Sequence, residues 1–178
     1  VKTRFSDVPT HAAFYTEIEW LASRKITTGY GDGTFRPDQS VERGAMAAYF
    51  YRMAGSPAVN LPKTSPFLDV PTNHPFYKEI VWMHQRGITT GYGDGTFRPN
   101  EAVSREATAA FLYRYSGSPA IPAAHGSGFK DVRANNSFYR EIIWLESRKI
   151  TAGYGDGTFR PYDSVSRGAM AAFLYRMR

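Results

Sequence analysis

The feature that most limits how this chain can fold is its self-similarity. The pattern Phe-x-Asp-Val begins at Phe5, Phe67 and Phe129, a period of 62 residues. Aligned without a gap, residues 5–52, 67–114 and 129–176 carry the same residue in all three copies in 27 of 48 columns. A period of that length marks one structural unit used repeatedly. The segments between copies, Met53–Pro66 and Tyr115–Gly128, are rich in Pro, Gly, Ala and Ser and read as linkers. A unit of 48 residues is near the size at which a lone core becomes marginal, so the copies are expected to bury apolar faces against one another. The expected architecture is all-α: residues 1–178 as one pseudo-threefold domain of three helix–loop–helix repeats.

Composition narrows the class. With 42% hydrophobic and 15% aromatic residues the chain has ample surface to bury, which excludes a disordered tail. It has no apolar run long enough to cross a membrane, so no membrane insertion is expected. The start Val1-Lys2-Thr3-Arg4 carries no apolar signal segment, so an exported protein is expected to have lost its signal already. The absence of cysteine excludes disulfides, thiolate metal sites and a cysteine nucleophile.

Each copy shows helical periodicity twice. Phe14, Ile18 and Leu21 follow i, i+4, i+7, with Glu17, Ser23 and Arg24 elsewhere on the wheel. Asn73 and Asn136 are candidate start signals for the equivalent helices, which should end near Lys25, Gly87 and Lys149. The second period runs through Met46, Tyr49, Phe50 and Met53, with Ala47 and Ala48 permitting close helix approach.

Between the helices, Gly29–Pro37, Gly91–Pro99 and Gly153–Pro161 are identical. Three glycines in five residues and an Asp-Gly pair imply an ordered tight turn with Phe35 inserted into the core. The loop follows a helix rather than a strand and lacks Gly-Lys-Ser/Thr, which argues against a phosphate loop; one carboxylate argues against a calcium loop.

The entry to the second helix holds the sharpest chemical signal. Ser104 and Ser166 stand at N-cap positions, placing Arg105 and Arg167 in the first turn, with Arg43 their counterpart behind Glu42. A cation there opposes the partial positive charge of the helix start, and the choice is made three times. Free amides plus a forked guanidinium would suit a carboxylate or phosphate. The competing reading is an internal salt bridge from each Arg to a repeated carboxylate such as Asp7, Glu17 or Asp32.

The succession Phe-x-Asp-Val, Phe-Tyr-x-Glu-Ile-x-Trp, Gly-Tyr-Gly-Asp-Gly-Thr-Phe-Arg-Pro and Val-x-Arg-x-Ala-x-Ala-Ala resembles the surface-layer homology (SLH) repeat of bacterial cell-surface proteins, over nearly the whole chain. The resemblance implies a secreted, wall-associated module with grooves between neighbouring repeats. Such a module binds secondary cell-wall polysaccharide in its grooves, in several members through a terminal pyruvylated N-acetylmannosamine. The family's Ile-Thr-Arg-Ala-Glu stretch falls on Val41–Ala45, Val103–Ala107 and Val165–Ala169, and its ligand-contacting arginine on Arg43, Arg105 and Arg167. Its glutamate has no match, since Ala45, Ala107 and Ala169 stand there, although Glu106 lies one place earlier; losing this capping-box partner should cost helix-end stability before binding. Glu42 beside Arg43 is expected to neutralise it and make that site the weakest.

Trp20, Trp82 and Trp144 are candidate sugar platforms or, equally, packing residues. Asp32, Asp94 and Asp156 are candidate acceptors for sugar hydroxyls, against closing their own turns; Arg36, Arg98 and Arg160 read as solvated. His11, His74, His84 and His125 share no repeat position, so no metal or cofactor is expected. Catalysis is not expected either. Nothing fixes a carboxylate pair such as Glu17 and Asp32 for glycosidic chemistry, whereas triplication favours multivalent binding. The net charge of +6 is spread through all copies without a basic run, which ranks nucleic acid low as a partner. Two alternatives remain open. One is a surface for other surface proteins or self-assembly, and the other is direct peptidoglycan binding as the targeting part of a wall hydrolase.

Overall fold

The computed structural model describes residues 3–121 and 126–178; Val1, Lys2 and the stretch containing His125 lie outside the described residues. Among the described residues six helices occur in chain order: α1 Tyr15–Ser23, α2 Arg43–Met53, α3 Tyr77–Gln85, α4 Arg105–Tyr115, α5 Tyr139–Ser147 and α6 Arg167–Arg176. No sheet forms among the described residues, only isolated bridges.

The two helices of one repeat are not the packing partners. Instead α2 packs on α3, α4 on α5 and α6 on α1, so every helix pair joins two repeats and the third pair closes a ring. Each pairing buries the apolar stripe read from the sequence: Ile18, Leu21, Ile80, Met83, Ile142 and Leu145 are fully buried. Ala47, Ala109 and Ala171 of the second helices are fully buried as well.

Ring closure is also written in the backbone. Val41 N–H donates to the Val165 carbonyl at 3.0 Å, Val103 to Val41 at 2.9 Å and Val165 to Val103 at 2.9 Å. These three buried valines form a cyclic set of hydrogen bonds on the pseudo-threefold axis.

The first helices end near the expected residues, and the structure shows each of these to be left-handed: φ is 59° at Lys25, 70° at Gly87 and 58° at Lys149. Ile26 N–H reaches back to the Leu21 carbonyl and Lys25 N–H to Ala22, a Schellman closure that satisfies the last carbonyls. Their starts differ from expectation. The N-cap residues are Phe14, Phe76 and Phe138, without side-chain caps. Asn136 Oδ1 accepts from Phe138 N–H at 2.7 Å and so forms an Asx turn ahead of α5, while in copy two His74 Nδ1, not Asn73, accepts from Phe76 N–H. The linkers have no regular structure among the described residues, yet they are tied down: Tyr51 Oη donates to the Pro57 carbonyl and Tyr77 Oη to Pro62.

The glycine loop is ordered by two carboxylates. Asp7 of Phe-x-Asp-Val accepts from Phe35 N–H at 2.8 Å and Arg36 N–H at 2.7 Å, and Asp69 and Asp131 do the same in their copies. Phe35, Phe97 and Phe159 are thereby held fully buried. Gly29 has φ +69°, and a Cβ there would run into the Phe5 ring and lie 2.7 Å from the Thr34 carbonyl. Only glycine fits.

Candidate functional site

The start of each second helix meets the glycine loop of the next repeat. Arg43 N–H donates to Glu101 O at 2.9 Å and Gly44 N–H to Pro99 O at 2.8 Å. The same pairs recur as Arg105 to Asp163, Glu106 to Pro161, Arg167 to Gln39 and Gly168 to Pro37. The expectation of free amides is therefore corrected: the neighbouring loop supplies carbonyls to the first two of them. The third goes to the cap where there is one, Ser104 Oγ accepting from Ala107 N–H and Ser166 Oγ from Ala169 N–H, both at 3.1 Å. Glu42 makes no such bond.

The arginines that open these helices reach under the same loop. Arg43 Nε donates to the Phe97 carbonyl at 2.8 Å, Arg105 Nε to Phe159 at 2.7 Å and Arg167 Nε to Phe35 at 2.8 Å. Aromatic rings enclose each guanidinium: Arg105 Cζ lies 4.8 Å from the Tyr154 centroid, 4.7 Å from Phe159 and 5.5 Å from Phe173. Arg43 sits likewise among Tyr92, Phe97 and Phe111, and Arg167 among Tyr30, Phe35 and Tyr49. The exposed fractions of Arg43, Arg105 and Arg167 are 6%, 5% and 8%.

Among the described residues none of the three forms an ion pair. The competing salt-bridge reading thus loses its partners, because Asp7 caps the loop backbone and Asp32 is engaged within its own turn. Burial pulls the pKa of Arg43 and Arg105 down, but arginine starts so high that each keeps its charge. A buried cation bonded only to a neutral carbonyl is an expensive arrangement, and an incoming anion would offset much of that cost.

Two of these arginines floor cavities at the meeting of all three repeats. That of Arg43, about 330 Å³, is walled by Thr89–Tyr92, by α4 through Ser104, Ala107, Phe111 and Arg114, and by Phe138. That of Arg105, about 280 Å³, is walled by Thr151–Tyr154, by α6 through Ser166, Phe173 and Arg176, and by Phe14. Arg114 and Arg176 are the last-turn arginines of α4 and α6, a second positive charge that sequence reasoning missed; their recurrence at one repeat position was the available signal.

The other candidates lie elsewhere. Asp32 Oδ1 accepts from Thr34 N–H and Oγ1–H, and Oδ2 pairs with Arg36 Nη2 at 3.1 Å; Asp94 and Asp156 repeat this. The Thr34 hydroxyl, its amide and Arg36, in that order, lower the Asp32 pKa to about 2, and Thr158 and Arg160 do the same for Asp156. Arg36 is not free in solvent either, stacking 3.7 Å from the Tyr30 centroid. The tryptophans sit at the helix pairs: Trp82 against Tyr51, Trp144 against Tyr113, Trp20 against Tyr175. Trp82 and Trp144, 4% and 3% exposed, have no face to offer a sugar. For these two the platform role is corrected to inter-repeat packing, and Trp20, half-buried, lines a different hollow with Arg24 and Arg52.

The three-copy arrangement has relatives. A family model described as the S-layer homology domain matches residues 4–47, 66–109 and 128–171. The chain belongs to the S-layer homology family. The SLH chain is 27% identical over 86% of its length to cell surface glycoprotein 1 of Acetivibrio thermocellus, covering 7% of that protein. It is 27% identical over 83% of its length to the cellulosome-anchoring protein of the same organism, covering 34% of it. To a cell surface protein of Thermoanaerobacter kivui it is 34% identical over 65% of its length, covering 16% of that protein. The SLH chain thus spans about a third or less of these curated relatives, and its family places it outside the cell at the bacterial wall.

Proposed function

We propose that this chain is a non-catalytic anchor that holds a protein to the cell wall by binding an anionic secondary wall polysaccharide in the grooves between repeats. The observation that carries this reading is the buried arginine at each repeat junction, Arg43, Arg105 and Arg167, without an ion-pair partner among the described residues, two of them flooring a cavity. A carboxylate on a sugar, such as the pyruvyl group of a terminal N-acetylmannosamine, has the size and charge to enter a cavity of about 300 Å³ and bridge the guanidinium ends. The tyrosine and phenylalanine walls suit the apolar face of the ring. Repetition adds avidity, since a polymer held in one groove is presented to the others at high effective concentration.

The test is sedimentation with purified walls before and after the non-peptidoglycan polymer is stripped. Binding is expected to require that polymer, and Arg105→Ala with Arg167→Ala is expected to remove most of it while helicity persists. Equal binding to stripped walls would instead favour direct peptidoglycan recognition, and undiminished binding by the folded double variant would favour a protein partner.

A further inference from the structure

The three junctions share a backbone but not a charge. The cavity over Arg105 is lined by two arginines, Arg105 and Arg176, and among the described residues by no carboxylate. The cavity over Arg43 also holds two, Arg43 and Arg114, but Glu106 lines it as well. Glu106 occupies the second position of α4, where α2 and α6 have Gly44 and Gly168. Those glycines are closely packed: a Cβ would meet the Phe76 ring at 3.0 Å and the Phe14 ring at 2.9 Å. Repeat two accommodates a side chain there, and Asn136 Nδ2 holds its Oε2 at 3.1 Å. The carboxylate is thus fixed in the wall of the Arg43 cavity by a residue of repeat three.

At the Arg167 junction the wall residue corresponding to Phe111 and Phe173 is Tyr49, with Arg167 Cζ 5.7 Å from its centroid. Tyr49 is 4% exposed and carries a hydroxyl at the wall position where the other two junctions have a phenylalanine. The threefold also puts Glu42 at the rim position held elsewhere by Ser104 and Ser166. Glu42 therefore faces the Arg167 junction, not Arg43, whose guanidinium turns away beneath the loop of repeat two. The expectation that Glu42 weakens the Arg43 site loses its geometric basis.

We infer that the grooves are ranked by these substitutions: the Arg105 groove is the principal anion site, Glu106 attenuates the Arg43 groove, and Tyr49 with Glu42 restricts the Arg167 groove. This rests on the anion-binding reading above and specifies where it operates. A fixed carboxylate in the same cavity wall repels an entering anion, which makes affinity differ between otherwise matching pockets.

Each junction carries its own reporter, because each buried Nε–H is bonded to a carbonyl and shielded from exchange. The methyl glycoside of pyruvylated N-acetylmannosamine, titrated into the ¹⁵N-labelled full chain, is expected to saturate the Arg105 Nε–H signal about tenfold before that of Arg43. Glu106→Gln, which keeps an acceptor for Asn136, is expected to narrow that gap several-fold and leave the Arg105 response unchanged. Equal saturation at all three junctions, or an unchanged Arg43 response in Glu106→Gln, would overturn the ranking and leave the anion sites standing. Three unmoved signals, together with wall binding that survives loss of Arg105 and Arg167, would overturn the anion reading itself.

Discussion

At the residue scale, the same side-chain type does opposite work at two places in the repeat. Arg36, Arg98 and Arg160 are stacked and paired with the aspartates of their own turns. Arg43, Arg105 and Arg167 are enclosed without a counter-ion among the described residues. The aspartates therefore belong to the turn, and their titration should say so. NMR midpoints for Asp32 and Asp156 are expected near pH 2 rather than at the ordinary 3.8. Because these pKa values fall on folding, the stability they contribute is present above pH 4 and is lost as pH drops through about 2. Arg105→Lys offers the complementary check. An ammonium keeps the charge but loses the fork that can bond a carbonyl and an anion together, so wall binding is expected to fall about tenfold or more in a pelleting assay. Residue identity alone located these arginines, since a cation at a helix start is visible in the sequence. The fate of the adjacent amides was not visible: their acceptors, from Pro99, Pro161 and Pro37 through Gln39, come from another repeat.

At the scale of the element, the three copies serve as internal controls for one another. Copy two ends its first helix with Gly87 where the others strain a lysine into φ near +58°. Lys149→Gly is expected to raise stability by about 0.5–1 kcal/mol, read as the free energy of denaturant unfolding. Glu42 is the one cap residue of α2, α4 and α6 without a side-chain bond, so Glu42→Ser should gain about 1 kcal/mol by the same measurement. Gly91→Ala works in the other direction. Its Cβ would collide with Phe67 and sit 2.7 Å from the Thr96 carbonyl at φ +70°, and a loss of about 2 kcal/mol or more is expected. Helix periods, the second-helix serine caps and the places where the first helices end were legible because each depends on residues a few positions apart. The tryptophans were ambiguous for the opposite reason. An amphipathic stripe shows that Trp82 and Trp144 face something, and only the pairing of α2 with α3 and α4 with α5 shows that it is protein.

For the whole molecule, the decisive fact is that each helix pair spans two repeats. A repeat removed from its neighbours loses the partner of both helices and the acceptors of its helix-start amides. Residues 1–114 alone are expected to show no cooperative thermal transition by calorimetry, because α1 and α4 would each present an uncovered apolar face. Triplication in the sequence announced mutual burial; the direction in which partners are exchanged was not encoded locally. Near-identical copies can pair within themselves or with either neighbour, and nothing in one copy distinguishes these until the valine ring sets the register.

That ring also dictates an order in time. Its closing bond joins Val41 to Val165, and the nearby Gly168 to Pro37 bond spans a similar stretch of more than two-thirds of the chain, so two repeats can dock while the third junction stays open. Loop closure over such a span is slow relative to local helix formation. The chain would therefore stay incompletely folded until α6 is delivered, a useful state for a protein that must be threaded outward before it can hold on to anything.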